Sequence, residues 1–362
     1  MSRVVYIHVG APKTGTTYLQ DRLGANTDSL AAHDVHFPRG PMGLDPGFTH
    51  FRAALDLLGQ DWGGPSGHAE GYWDALMRKV RRVQGTVIIS HEILSAAPPD
   101  KIARVMADLK DSEVHVVFSA RDLVRQIPAF WQESIKQGRR WTYRRCLSRL
   151  QDMEDEFFWR SQSLPKVLGR WGAGLEPERI HVVTVPPAGV PNDVLWQRFC
   201  TVFGIDPAWA PRESDRLNPS MGVAETALIR RLNRRLRQYG LSEFQYQELV
   251  RRILVHEHLA QRSGSKATLP PNRYDWAREI SESWIEWAEG AKVDVVGDLR
   301  DLLPGDPPEG RWRNPDRPDQ GQVVDAALEA LVAMTAEAAS RPDPSEQLTA
   351  RMTRAARRFM GS

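Results

Sequence analysis

Four short, almost unbroken apolar runs set the strongest limit on how this chain can fold: VVYIHV (4–9), TVIISH (86–91), VHVVFS (114–119) and IHVVTV (180–185). A strand with one wet face alternates apolar and polar residues, whereas a continuous run implies a strand covered on both faces. Helical patterns lie between and around these runs, over 16–25, 48–59, 70–83, 99–110, 122–137, roughly 143–170 and 191–203. Strands alternating with helices need right-handed crossovers and give a mostly parallel sheet flanked by helices, an α/β fold. VHFP (35–38) is a candidate short strand, and the Gly-rich DWGGPSGH (61–68) reads as a loop.

After about residue 204 the character changes. A proline-containing connector leads to helices expected near 222–238, 242–260 and 273–290, then to VDVVGDL (293–299), a strand or docked segment. A second Pro/Gly/Arg-rich linker precedes one or two terminal helices. The expected organisation is an α/β core over 1–210 with a mainly helical portion, 211–362, packed on it. At 362 residues the chain can bury a sizeable core.

Composition removes several function classes. Lys plus Arg number 48 against 46 Asp plus Glu, a balance that argues against a broad nucleic-acid-binding surface. Cys146 and Cys200 lack metal-type spacing and read as two buried thiols of a reducing compartment. No apolar stretch is long enough to span a bilayer, and a strand-like segment begins almost at Met1 in place of a signal peptide. The expectation is a cytoplasmic protein with no membrane span.

The strand 4–9 runs directly into GAPKTGTTYLQ (10–20). A strand, a tight glycine turn and a helix start aim backbone N–H groups at a bound anion, helped by the helix dipole. In an ATPase loop the lysine follows the second glycine and a Ser or Thr behind it ligates magnesium. Here Lys13 lies inside the loop and Thr16 holds the usual lysine position. The plain alternative, a glycine turn that only caps a helix, leaves this density of donors unexplained.

PKTGTT after a hydrophobic strand resembles the 5′-phosphosulfate loop of sulfotransferases that use 3′-phosphoadenosine 5′-phosphosulfate (PAPS), whose loops read PKSGTT or QKTGTT. The resemblance implies a PAPS-binding chain. Lys13 would bind the oxygen bridging phosphate and sulfate, with Pro12 beside it, and Thr14, Gly15, Thr16 and Thr17 would hold the 5′-phosphate. Tyr18 falls where cytosolic members often carry an aromatic residue against adenine. The family's second signature, a strand followed by an arginine for the 3′-phosphate, is matched by VHVVFSARD, with Arg121 at the strand end. Carboxyl ends of parallel strands are where ligands collect, and a guanidinium suits a phosphate. One departure stands out. The family usually places a serine eight residues after this arginine, where this chain has Ala129. Gln132, three residues on and nearly one turn away, is the expected replacement, and Ser134 points elsewhere. The resemblance covers about the first 205 residues. RLNPSMG (216–222) also resembles a late loop of bacterial and polysaccharide-modifying members, although Asn218 and Ser220 are ordinary turn and cap residues.

Sulfuryl transfer needs a base for the acceptor's proton and, in this family, no metal. Cytosolic members end the strand corresponding to 86–91 with a catalytic histidine in K-T-H; here the order is Ser90, His91, Glu92. His91 is the favoured base, since histidine titrates near neutrality, followed by Glu92 and then His36. If the strand persists, His91 and Glu92 face opposite ways, so at most one meets the ligand. The acceptor is a small molecule, glycan or lipid carrying a hydroxyl or amine. Two other functions stay open. A nucleotide kinase or NTPase would need a magnesium-holding acid at a strand end, for which Asp122 is the near candidate. A non-catalytic nucleotide-binding protein would keep the loop alone. Aromatic residues near strand ends, including Phe51, Trp62 and Trp131, read mainly as core, with the pair Trp131 and Gln132 the part expected near the acceptor. Arg230, Arg231, Arg234, Arg235 and Arg237 form i, i+4 rows on one helix. A solvated face is the default there, and a grip on an acidic ligand the alternative.

Overall fold

The computed structural model describes residues 3–40, 45–214 and 220–341. Its centre is a six-stranded sheet of β1 (Arg3–Gly10), β2 (Val35–His36), β3 (Gly85–Ser90), β4 (Glu113–Ala120), β5 (Ile180–Thr184) and β6 (Asp294–Val296). The order is β2-β3-β1-β4-β5-β6, and every pairing is parallel. The continuous apolar runs are therefore buried strands with helices over both faces. Along β1, Val5, Ile7 and Val9 enter one core while Tyr6 points toward the other; on β4, Val116 and Phe118 alternate with Val117 in the same way. This is the strand period of two acting on both faces at once.

Chain direction places the ligand site. From β1 the chain moves outward to β2 and back to β3, then crosses β1 to reach β4 and continues outward to β6. Connections leave in opposite senses on either side of the β1–β4 boundary, which opens a crevice at the carboxyl ends of these two strands. The helix Thr16–Ala25 follows β1 and packs Leu19 and Leu23 against Trp196, Phe199 and Phe203 of the helix Asn192–Phe203.

The single helix expected over 143–170 is three: Tyr143–Gln151, Glu156–Gln162 and Leu164–Trp171. Met153 adopts φ 56° between the first two, and Asp155 caps the second by accepting the Phe158 N–H at 3.0 Å. Pro165 starts the third and disfavours helix in the residue before it. Residues on both sides of 210 share the sheet and the core: β6 extends it beyond β5, and Ile229, Val250 and Trp284 join Val5 and Phe118 in one cluster. VDVVGDL thus supplies the edge strand, and the stretch after the second linker holds a helix, Gln320–Ser340. Asn218 and most of the RLNPSMG segment lie outside the described residues. Among the described residues, no helix is long and apolar enough to cross a membrane.

Candidate functional site: an open N-terminal turn beside Arg121

At the end of β1 the chain is tied to β4 by the Ala11 N–H, which donates to the Ser119 carbonyl at 2.9 Å. Two left-handed residues then turn it, Lys13 at φ 69° and Gly15 at φ 92°. Gly15 is needed twice over, because a Cβ there would stand 2.7 Å from Leu195 Cδ2. Lys13 has no such excuse, and a non-glycine residue held left-handed is a strain that recurs at ligand sites. The Pro12 carbonyl is pinned by the Gln126 amide, which donates at 2.5 Å, and by Gln162 at 3.4 Å.

The turn leaves its donors open. Leu19 is the first N–H of the helix to find a carbonyl, that of Gly15 at 3.0 Å; among the described residues, the N–H groups from Lys13 to Tyr18 donate to no carbonyl. They are the orphan donors of a helix N-terminus. The threonine hydroxyls divide. Thr14 is buried, with Oγ1 2.5 Å from both the Ala11 carbonyl and the Ser119 hydroxyl, so only its N–H faces the crevice. Thr16 is also buried, and its side chain helps hold the Glu92 pKa down. Thr17 is half-buried at the loop mouth. Beneath the loop His8 sits fully buried between Ser90 Oγ (2.8 Å) and Ser119 Oγ (3.2 Å), its pKa pushed down to about 4 by burial.

Arg121 follows β4 directly and donates through Nη1 to the Lys13 carbonyl at 3.0 Å. The two residues that sequence reasoning paired across more than 100 positions are thus joined. Among the described residues no carboxylate lies within salt-bridge distance of Arg121, and its Nε is buried without a hydrogen-bond partner. Burial, reinforced by the neighbouring Arg125, pushes its pKa down to about 10. Asp122 has other work. It caps the helix Leu123–Lys136 by accepting the Arg125 N–H at 2.8 Å, and it pairs with the Arg125 guanidinium.

That helix presents a different residue to the loop from the one expected. The Gln132 amide is buried against the Met221 carbonyl (2.7 Å) and the Thr226 hydroxyl (3.1 Å), and Ser134 bonds back to the Phe130 carbonyl. Glu133, four residues past Ala129, carries the contact instead, with Oε2 2.5 Å from Lys13 Nζ. Lys136 at 3.8 Å and Arg251 at 3.6 Å approach the same carboxylate. Burial pushes the Glu133 carboxyl up, but the three cations outweigh it and bring its pKa to about 2. Lys136 falls to about 8 through burial and the nearness of Lys13. Two carboxylates, Glu133 and Glu92, against Lys13, Lys136, Arg251 and Arg121 leave the crevice net electropositive.

His91 and Glu92 lie just beyond β3, which ends at Ser90, so strand alternation does not separate them, and His91 Nδ1 stands 4.0 Å from Glu92 Oε2. The His91 ring is buried and tilted against Phe51, centroids 5.1 Å apart, and its Nδ1 accepts the Ile93 N–H at 3.3 Å. That bond caps the short 3₁₀ turn Glu92–Ala96 and fixes the proton of the neutral ring on Nε2. Burial lowers the His91 pKa despite the adjacent Glu92. Glu92 turns to the loop, receiving the Gln20 amide at 3.5 Å. Burial raises its pKa, but His91, its own N–H, Lys13 and Thr16 together hold it below the ordinary value. His36 is on β2, with β3 between it and β1.

Tyr18 accepts from Arg22 Nη1 at 2.9 Å, and Arg22 continues to Glu213 (2.7 Å) and lies over the Trp196 ring. Phe51 packs on Trp62 as well as His91, an aromatic wall beside Glu92. Trp131, expected near the acceptor, is fully buried against Tyr143 and belongs to the core. Comparison with protein-family models, curated proteins and solved structures returns no match.

Proposed function

We propose that the chain is a PAPS-dependent sulfotransferase acting on a hydroxyl or amine acceptor. The observation that carries this reading is the junction of Lys13 and Arg121: a lysine inside an anion-binding turn, hydrogen-bonded through its carbonyl to an unpaired guanidinium at the neighbouring strand end. A nucleotide with phosphate groups on both sides of its ribose is the ligand such a pair suits, one group at the open N–H donors and the other at Arg121. The buried, partnerless Arg121 Nε is consistent with that fit.

In the proposed reaction the N–H groups from Lys13 to Tyr18 hold the 5′-phosphate, and Thr17 adds a hydroxyl. The acceptor oxygen or nitrogen attacks sulfur in line, and the bond from sulfur to the bridging phosphate oxygen breaks. Lys13 offsets the charge that collects on that oxygen, an electrostatic role of the kind that dominates group transfer. Glu92 takes the acceptor's proton. It is preferred to His91 because the His91 lone pair at Nδ1 is already committed to the Ile93 N–H. The aromatic wall of Phe51 and Trp62 supplies an apolar flank for the acceptor.

The kinase reading loses its magnesium ligand, since Asp122 is spent on a helix cap and on Arg125. Calorimetry with adenosine 3′,5′-bisphosphate and with ATP plus Mg2+ tests the assignment, followed by transfer of labelled sulfate from PAPS to an acceptor panel. Preference for the bisphosphate with turnover is expected. Preference for ATP with metal overturns the reading, and bisphosphate binding without any transfer leaves a nucleotide-binding protein.

A further inference from the structure

A second electropositive pocket lies away from the loop, where the chain leaves the helix Leu123–Lys136 and enters Tyr143–Gln151. It measures about 380 Å3 and is lined by Arg140, Trp141, Thr142, Arg145, Arg230 and Arg234. None of these belongs to the crevice between β1 and β4. Arg230 and Arg234 stand one turn apart on the helix Val223–Leu236, so both guanidiniums project on the same side.

These arginines lack the partners that surface arginines usually find. Among the described residues, none of the four guanidiniums is within salt-bridge distance of a carboxylate. Arg230 is 8 % exposed, and its Nε is buried without a hydrogen-bond partner. The nearest acid acting on it, Asp316, spends one oxygen on the Tyr143 N–H (2.7 Å) and the other on the Arg144 N–H (2.9 Å). Arg231, by contrast, lies on the outer face of the same helix and donates to Gln320 at 2.9 Å. The pocket is also fixed in shape. The Asn233 amide donates to the Ile135 carbonyl (2.8 Å) and the Arg139 carbonyl (3.0 Å), which clamps the helix to the connector carrying Arg140.

Asp316 acts on Arg230 only from beyond salt-bridge distance and the buried Nε still lacks a partner, a desolvation cost that a closer anion would offset. We propose that Arg140, Arg145, Arg230 and Arg234 form a binding site for a tetrahedral oxyanion, the phosphate or sulfate ester of a small ligand. Four planar forks offer more donors than a carboxylate's two oxygens can use, whereas an ester with three free oxygens can engage several forks together. Burial, which lowers the Arg230 pKa ahead of any neighbouring charge, marks the same unmet demand.

The test is calorimetric titration of the full chain with glucose 6-phosphate, glucose 6-sulfate, inorganic phosphate and acetate at constant chloride. The parent is compared with Lys13→Ala, Arg230→Met and Arg234→Gln. Ester binding is expected to survive Lys13→Ala, to weaken at least tenfold in Arg230→Met and Arg234→Gln, and to exceed acetate binding in the parent. The phosphate and sulfate arms then decide which ester the site prefers. Arg230→Met removes an unpaired buried charge, so its melting temperature is expected to hold or rise, and the exposed Arg234→Gln repeats the test without touching the interior. Ester binding abolished by Lys13→Ala but intact in the two arginine variants would overturn the proposal, as would acetate binding as tightly as the esters. Absence of binding to any ester above chloride also overturns it. The site does not depend on the sulfotransferase reading, and either can fail alone.

Discussion

Lys13 Nζ lies 2.5 Å from Glu133 Oε2, so the one ammonium in the turn after β1 is held by a carboxylate of the helix that starts after Arg121. An incoming phosphate must compete with Glu133 for that cation, and Lys136 and Arg251 remain to balance the displaced carboxylate. Glu133→Gln removes the competitor. Both partners are partly exposed, which limits the gain to on the order of 1 kcal/mol, so adenosine 3′,5′-bisphosphate is expected to bind about fivefold tighter by calorimetry. Weaker binding in the variant would mean that Glu133 positions Lys13 for the ligand and does not compete with it.

Lys13 and Arg121 are predicted to fail differently. Lys13→Ala removes charge stabilisation at the leaving oxygen, so kcat is expected to fall about 10²–10³-fold. Arg121→Ala removes one charge-assisted grip, and the donor KM is expected to rise about tenfold to a hundredfold with a smaller change in kcat. Steady-state kinetics on both variants separates the two roles. Full activity in both would move the site elsewhere.

How far the sequence carried the site can be judged at three residues. The Lys13 loop and Arg121 were legible because strand, turn and helix are local patterns, and parallel order brings neighbouring strand ends together. Glu133 was not. Positions three and four past Ala129 both border its face, and the choice between them was made by Met221 and Thr226, which draw the Gln132 amide away from the loop. Arg251 reaches the site from a wide-turned helix, Gln247–His258, whose docking no local pattern encodes. His91 was favoured as base because it ends the run TVIISH where the resembled family carries a histidine. Its bond to the Ile93 N–H is a cap that S-H-E followed by an apolar pair signals only weakly.

The base is open to a direct comparison. Glu92→Gln is expected to reduce kcat about 10²–10⁴-fold, the usual contribution of a positioned base. His91→Asn keeps an acceptor for the Ile93 N–H and is expected to leave kcat near the parent value. The pH profile adds a second readout. With the Glu92 carboxyl held below its ordinary pKa, the proton acceptor stays ionised through the mildly acidic range, so kcat should show no histidine-like inflection near neutrality. An inflection near pH 6.5 that disappears in His91→Asn would return the role to His91.

The last prediction concerns the histidines under the loop. His8 is fully buried between two serine hydroxyls, and burial brings its pKa to about 4. His50, also buried, donates through Nε2 to the Pro38 carbonyl and accepts the Ser90 N–H at Nδ1; burial brings it to about 3. In the unfolded chain both would titrate near pH 6.5. Below that pH the unfolded state takes up protons that the native state refuses, so stability falls as pH falls, down to the folded-state values. For His8 the span from 6.5 to about 4 amounts to about 3 kcal/mol. Urea unfolding at pH 7, 5.5 and 4.5 should therefore record a steady loss, and His8→Asn, which cannot titrate, should flatten that slope while lowering stability at pH 7. A parent whose stability is level between pH 7 and 4.5 would mean that His8 and His50 take up protons in the folded state as readily as in the unfolded one, against the burial that holds both down.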